Sequence, residues 1–300
     1  MFRTWVFILA GIVCGILSLL CLTMKESRPA QALRQRVKKI ENSMQYTGLR
    51  IEGASLPTVG EFARGSLTLP IRLFITEPIV LVCSIMGATV VSLTYLFAEA
   101  IPVVYSHGFG MTRNQSALIF LIMGAGVLLF FIPRLCDLRM ANRRHARHQS
   151  LQPEDKLAGF LAAAPLLAIG LWWFGATIPP VVPKTFSPVV SMVPVAFVGF
   201  AAVEFDTVLA GYLTDVYNSH AASANAPMCF LRALMSGCYP LFGRQMFEGL
   251  GSSGASFILA GMATAYVGVA FCFWKYGKTI RRKSKFAEES RIAGDVDADD

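Results

Sequence analysis

Charged residues are scarce in this 300-residue chain, and they are unevenly distributed. Asp, Glu, Lys and Arg make up 15% of the sequence, against 54% for hydrophobic residues, whereas a soluble domain carries about a quarter charged residues. Long stretches contain none of the four, and the charges are concentrated between these stretches. This pattern excludes an ordinary soluble domain and indicates a chain that crosses a lipid bilayer several times.

The sequence also lacks the residue patterns of common enzyme, metal and nucleotide sites. Its four histidines and seven cysteines show no catalytic or metal-ligand spacing, and no Gly-x-x-x-x-Gly-Lys-Ser/Thr loop is present. We therefore expect no enzyme activity, no cofactor, no metal and no direct use of ATP. The net charge of +8 comes without a nucleic-acid-binding motif, so we expect no nucleic-acid partner.

Seven apolar segments are long enough to span a membrane, since a spanning helix needs about twenty residues. They cover residues 4–24, 79–105, 115–133, 157–183, 185–214, 225–247 and 249–274. The sequence therefore predicts an all-α membrane protein with seven transmembrane helices. A cleaved signal peptide is the alternative for the first segment, but that segment lacks a strongly basic start and a small-x-small cleavage site.

The basic residues are concentrated in three connections. Of the 27 Lys and Arg residues, nine lie between residues 25 and 72, six between 134 and 156, and seven between 275 and 291. Basic loops remain on the cytoplasmic side of a membrane, so we expect an external amino terminus and a cytoplasmic carboxy terminus in the plasma membrane. This topology places the sequon at residues 114–116 outside, which makes Asn114 a candidate for N-glycosylation.

The remaining segments complete the predicted organisation. After a first helix at 1–24, residues 25–70 form a cytoplasmic loop in which residues 30–44 show helical apolar spacing among Lys and Arg. That pattern is typical of a basic amphipathic helix on the membrane surface or of a solvated linker helix. Gly and Pro residues between 48 and 65 predict a flexible linker. A six-helix bundle covers 71–277, and a cytoplasmic tail covers 278–300.

Several short motifs occur in order along the chain. They are Pro-Ile-Arg-Leu-Phe at 70–74, Glu-Pro-Ile-Val at 77–80, Pro-Glu-Asp-Lys-Leu at 153–157, Tyr-Leu-Thr-Asp-Val-Tyr at 212–217 and Ala-Ala-Ser-Ala at 221–224. Together they resemble the fungal twelve-helix drug:proton antiporter group of the major facilitator superfamily.

The resemblance extends over essentially the whole chain and implies that the seven spans correspond to helices six to twelve of that family. The expected fold is the carboxy-terminal six-helix half of the major facilitator fold plus one preceding helix, as in a truncated transporter. Two positions depart from the family pattern. Lys156 replaces an Arg, and Gly211 replaces an Asn that would supply a polar contact in the translocation path.

Ionisable residues inside the predicted spans are candidates for the proton or substrate path, because a charge in the bilayer is costly unless it is paired. They are Glu99, Glu204, Asp206 and Arg232. At 1.5 Å per residue, Arg232 lies roughly 10 Å and Asp206 roughly 14 Å from the cytoplasmic ends of their spans. We therefore expect Arg232 to neutralise an acid of the fifth span, either as a responsive pair or as a static one. For Glu99, near the outer face, an interfacial role is the alternative.

Three residues near the cytoplasmic ends of the spans are gating candidates. Asp215 matches a family position at the end of the fifth span. Arg134 and Asp137 lie in the basic loop after the third span, and the resemblance makes this loop the pseudo-symmetric counterpart of the superfamily's gating loop. Salt bridges at an inner gate are one interpretation of these charges, and membrane orientation alone is the other.

The resemblance implies a secondary active transporter that exports a drug-like molecule or metabolite by proton coupling. The expected partners are the lipid bilayer, a small organic substrate, protons, and a missing amino-terminal half or a second copy of the chain. Two alternatives remain open. The chain is a non-transporting truncated gene product, or, on helix count alone, a seven-helix receptor.

Overall fold

The computed structural model describes residues 2–22, residue 37, and residues 59–145, 157–183 and 185–282. Most of the predicted amphipathic helix at 30–44, most of the 153–157 motif and the tail beyond residue 282 lie outside these ranges. Within them the regular structure is helical, and no strand occurs. The contacts divide the chain into two units, residues 1–62 and 63–300.

Helix α1 (Phe2–Leu22) belongs to the first unit and coincides with the first predicted span. The side chains described in it are exposed and mostly apolar, as a lipid-facing helix requires. Its one serine in the second half, Ser18, donates its hydroxyl to the Cys14 carbonyl at 2.8 Å. The polar group is therefore satisfied within the helix.

The second unit is a bundle of helices with short connections. Helix α2 (Val59–Thr76) crosses the boundary between the units, and a seven-residue π-helix, Pro102–Gly108, extends α3. The other helices are α3 (Pro78–Ile101), α4 (Arg113–Leu128), α5 (Phe131–His145), α6 (Ala158–Ala176), α7 (Val189–Val216), α8 (Ala221–Gly249) and α9 (Ser252–Arg282).

Local sequence accounts for several helix ends. Pro78 is the first residue of α3, a position where the missing N–H costs nothing. Thr112 caps α4, because its hydroxyl accepts the Gln115 amide while the Gln115 side chain accepts the Thr112 amide. Helix α6 ends at Ala176, ahead of three prolines in the next seven residues.

Two segments predicted as linker or loop are helical. Helix α2 begins at Val59, inside the segment whose glycines predict a flexible linker, and its last turn buries Leu73 in the core. Burial of this end outweighs the weak helix propensity of Gly. Arg134 and Asp137 lie in α5, not in a loop. The proline in α5, Pro133, stands in its first turn, where it is compatible with helix.

Helix α7 is at the centre of the second unit and packs against α3, α4, α6 and α8, while α3 also packs extensively on α8 and α9 on α6. Small residues let the backbones of α4 and α7 meet. A Cβ on Gly126 would overlap the Ala196 carbonyl, and a Cβ on Gly199 would overlap the Met123 carbonyl. Such close approach is a common mode of helix association in membranes, where apolar burial no longer drives packing.

Five helical segments in the described ranges are long and apolar enough to cross a membrane. They are Pro78–Gly108, Arg113–Met140, Ala158–Ala176, Val189–Val216 and Ser252–Gly277. Helix α8, the sixth predicted span, has 29 residues but is less apolar, and the strongly apolar stretch of α1 is shorter than these five. The chain is therefore a multi-pass all-α membrane protein, and the count of seven spans stays a prediction.

Candidate functional site

The two acids of α7 point to opposite sides of that helix. Glu204 and Asp206 are two residues apart, which corresponds to a rotation of about 200° at 100° per residue. The Glu204 side chain is fully buried, whereas the Asp206 side chain is 35% exposed. The sequence groups these acids together, and the structure separates them into two ion pairs.

Asp206 is paired with Arg232 of α8. The Arg232 Nη1 atom lies 2.5 Å from Asp206 Oδ1, and both side chains are about one-third exposed. Counted from the helix ends at Ala221 and Val216, the two residues lie at nearly equal depths of about 15 Å. The structure thus brings together two residues that the sequence predicts to pair, because they lie at similar depths in their spans. We call them the α7–α8 pair.

One strip along α7 is small and polar. It consists of Thr207, Gly211 and Thr214, which lie about 80° to 140° around the helix from Asp206 at 100° per residue. Asn225 of α8 donates its side-chain amide to the Thr214 hydroxyl at 3.0 Å. A Cβ on Gly211 would have no atom within 4 Å. Lipid chains offer no partner to such groups, so this surface suits a water-filled path or a protein neighbour.

Glu204 lies in a second cluster, formed with Arg134 and Asp137 of α5. The Glu204 carboxylate accepts a hydrogen bond from Arg134 Nη2, and Arg134 Nη1 lies 3.0 Å from Asp137 Oδ2. The guanidinium also lies 5.2 Å from the centre of the Phe130 ring. One cation therefore links α5 to the buried face of α7. We call these three charged residues the Arg134 cluster.

The backbone of α6 closes the Arg134 cluster at Gly159. A Cβ at this position would overlap the Glu204 carboxylate and would lie 2.7 Å from Arg134 Nη2. A side chain at this position would force the Glu204 carboxylate to move away from α6. The second Glu204 oxygen, Oε2, is buried without a hydrogen-bond partner in the described part of the chain. A buried carboxylate with one satisfied oxygen depends strongly on its one cation.

Sequence reasoning missed the Glu204–Arg134 contact, because it assigned Arg134 to a loop. The helical spacing around the two acids does not separate them. Residues three and four positions after either acid mix large apolar with small or polar side chains, since Thr207 and Val208 follow Glu204, and Leu209 and Ala210 follow Asp206. Phe205 packs edge-to-face on Phe160 of α6 at 4.9 Å. The packing of α6 against this side of α7, and not the spacing along α7, therefore decides which acid is buried.

The other predicted site residues lie apart from the α7–α8 pair and the Arg134 cluster. Glu99 is half-buried on α3, and a Cβ on Gly243 of α8 would lie 3.6 Å from its Cβ. Asp215 is exposed, one residue before the end of α7, and Asn114 is exposed in the first turn of α4. No group of three or more His, Cys, Asp or Glu residues in the described ranges is placed to hold a metal ion.

The chain is similar in sequence to several named transporters. It is 35% identical to efflux pump FUB11 of Gibberella fujikuroi over 231 residues, which are 76% of this chain and 39% of that protein. It is 32% identical to MFS-type efflux pump MFS2 of Trichophyton rubrum over 295 residues, 95% of this chain and 48% of that protein. Multidrug transporter TPO1_1 of Candida glabrata is 31% identical over 268 residues, 89% of this chain and 47% of that protein.

The alignments place the chain against one part of these proteins. It spans less than half of their length and aligns with their carboxy-terminal half. No protein-family model and no solved structure matches the chain. The relatives, together with the helical membrane architecture, show that the chain belongs to the major facilitator superfamily, among its efflux pumps and multidrug transporters.

Proposed function

We propose that the chain forms the carboxy-terminal half of a secondary transporter that exports small drug-like molecules in exchange for protons. Its relatives are named efflux pumps and multidrug transporters, and they match it over as much as 95% of its length. Because the match covers less than half of each relative, the transport path includes a second half. That half is supplied by the same polypeptide, by a separate one, or by self-association.

The observation that carries this proposal is the α7–α8 pair. Its two charges lie about 15 Å inside their helices, and each side chain is about one-third exposed. Taking such charges out of water costs several kcal/mol per ion unless they are well paired, and lipid offers them no compensation. The exposed remainder therefore faces water or substrate, as does the polar strip that Thr207, Gly211 and Thr214 form on the same helix.

The pair suits an exchange mechanism. A guanidinium stays charged at every physiological pH, whereas a carboxylate is a group that can carry a proton. A proton on Asp206 breaks the ion pair and releases Arg232, and a cationic or polar substrate group would compete with that proton for the same carboxylate. Proton and substrate then occupy Asp206 alternately, which is the requirement for antiport.

The Arg134 cluster is the candidate gate in this proposal. Arg134 joins α5 to the buried face of α7, so opening that end of the bundle requires the contact with Glu204 to break. Asp215, near the end of α7, is a second gating candidate, and Glu99 of α3 is a further candidate for the proton path.

The proposal is tested by measuring efflux of a fluorescent cationic drug, such as rhodamine 6G, from yeast cells that lack their own multidrug exporters. The chain is expressed alone and together with the amino-terminal half of the FUB11 pump. We expect efflux in the combined arm, faster at acidic external pH and abolished by Asp206→Asn. Glu248→Gln, which alters an exposed pair with Arg244 (2.8 Å), is the matched control and leaves efflux intact. Absence of efflux in both arms rejects the proposal.

We also propose the plasma membrane as the location, with the amino terminus outside and the carboxy terminus in the cytoplasm. The distribution of Lys and Arg supports this topology. An epitope tag after Asp300 is then reached by antibody only in permeabilised cells. Asn114→Gln raises electrophoretic mobility if the sequon is glycosylated. Staining of the tag in intact cells contradicts the topology.

A further inference from the structure

The turn of α8 that carries Arg232 lies between two prolines. Pro227 and Pro240 are both inside α8. Proline has no N–H group, so Pro240 leaves the Ser236 carbonyl without the donor that an α-helix normally provides four residues later. The helix is therefore weakened one turn after Arg232, and its own backbone fixes that turn less firmly than a regular helix does.

A serine of α3 contacts the same turn. The Ser92 hydroxyl, which is fully buried, donates to the Arg232 carbonyl at 3.4 Å and lies 3.1 Å from the Ser236 hydroxyl. With Ser236 as donor to Ser92, the two hydroxyls form a chain that ends on the backbone of Arg232. The contact reaches both ends of the turn from Arg232 to Ser236, which directly precedes the turn that Pro240 weakens.

Close packing on either side holds Ser92 at this height. A Cβ on Gly87 of α3 would lie 2.7 Å from the Met228 sulfur, and a Cβ on Gly243 of α8 would lie 2.8 Å from a Leu96 methyl. The two helices therefore approach closely one turn or more before and after Ser92. At such an approach a serine hydroxyl can reach the backbone of the partner helix, which is common between membrane helices.

We propose that Ser92 is a positioning residue for Arg232, an inference that rests on the proposed function for its effect on transport. Ser92 holds the Arg232 turn of α8 at the height and rotation at which the guanidinium reaches Asp206 of α7. It acts through the backbone of Arg232 and touches neither Asp206 nor the substrate. Without the hydroxyl, the Arg232 turn, which the weakened turn beside it holds less firmly, is free to shift, and the α7–α8 pair lengthens.

The test is a mutant cycle on the melting temperature of the purified full chain in detergent. Ser92→Ala is made in the natural background and in a background with Arg232→Gln and Asp206→Asn. We expect a loss of about 2–4 °C in the natural background. We expect a clearly smaller loss in the neutral background, because the Ser92 hydrogen bonds to α8 remain there but no ion pair is left to position. Ser236→Ala, which cuts the hydroxyl chain from the other helix, is measured in parallel and behaves in the same way.

Ser84→Ala is the matched control. Ser84 is a fully buried serine on the same helix, and its hydroxyl has no hydrogen-bond partner in the described ranges. Ser84→Ala also removes one buried hydroxyl oxygen, but it leaves the contacts of the Arg232 turn intact. Its effect on the melting temperature should therefore be the same with and without the α7–α8 pair. An equal loss from Ser92→Ala in both backgrounds, or no loss in either, overturns the inference. The cycle needs no transport, so its result is separable from a failure of the proposed function.

Discussion

Two faces of α7 each carry a carboxylate paired with an arginine, but the two pairs differ in burial. On one face Glu204 is fully buried and joined to Arg134, while on the other Asp206 and Arg232 are each about one-third exposed. A buried pair is costly to break because it leaves an uncompensated charge in a low dielectric. A part-exposed pair breaks more easily, because water or a ligand can replace the lost partner. The Arg134 cluster is thus suited to hold a conformation, and the α7–α8 pair to respond.

Among these predictions, Gly159→Ala should cause the largest loss of stability. Its Cβ would overlap the Glu204 carboxylate, so Gly159→Ala separates Glu204 from Arg134. The expected loss of stability is about 3–5 kcal/mol, visible as poor recovery of folded protein or as a strongly lowered melting temperature in detergent.

Gly211→Ala is the matched control for that substitution, because a Cβ at Gly211 has no atom within 4 Å. It should be neutral or stabilising by up to about 1 kcal/mol, the difference in helix propensity between Gly and Ala. If Gly159→Ala is as well tolerated as Gly211→Ala, the Glu204 carboxylate accommodates a Cβ at Gly159, and the close contact there does not determine stability.

Removing the cation from each ion pair should reveal a smaller difference in stability between the two faces of α7. Arg134→Gln leaves Glu204 buried and unpaired, at a cost of about 3 kcal/mol. Arg232→Gln leaves Asp206 part-exposed, at a cost of about 1 kcal/mol or less after screening by solvent. Thermal unfolding of the two variants under identical conditions compares these costs. Adding Glu204→Gln to Arg134→Gln should restore part of the loss, since the uncompensated charge disappears. Equal losses for Arg134→Gln and Arg232→Gln would remove the distinction between the faces.

Much of the fold follows from local sequence patterns, but the contact between Arg134 and Glu204 does not. Apolar runs predict α3, α7 and α9, because crossing a bilayer requires a long apolar helix. The contact between Arg232 and Asp206 follows from depth, since α7 and α8 are adjacent antiparallel helices joined by a short turn. The contact between Arg134 and Glu204 joins residues 70 positions apart. It depends on the packing of α5 and α6 on α7, which no local spacing encodes.

The part-exposed pair should tolerate exchange of its two charges. Replacing Arg232 by Asp and Asp206 by Arg in one protein keeps one cation and one anion at the same depth. We expect each single substitution to reduce the amount of folded protein, because it places two like charges side by side, and the double exchange to recover at least part of it. Size-exclusion chromatography of a fluorescent fusion measures the folded fraction. A double exchange that is no better than either single substitution would mean that the two residues do not form a pair.

The smallest effect on stability is expected at Gly211, a position where the family resemblance of the sequence predicts Asn. Because the space around a Cβ at this position is open, Gly211→Asn should fold normally and gain a few tenths of a kcal/mol in helix propensity. Its amide would join the polar strip that Thr207 and Thr214 form on α7, so it should change which probes are exported without lowering the melting temperature. Comparing efflux of a cationic and a neutral probe of similar size, with Gly211→Ala as the steric control, tests this. If Gly211→Asn and Gly211→Ala give the same ratio of the two efflux rates, the polar strip of α7 does not face the substrate.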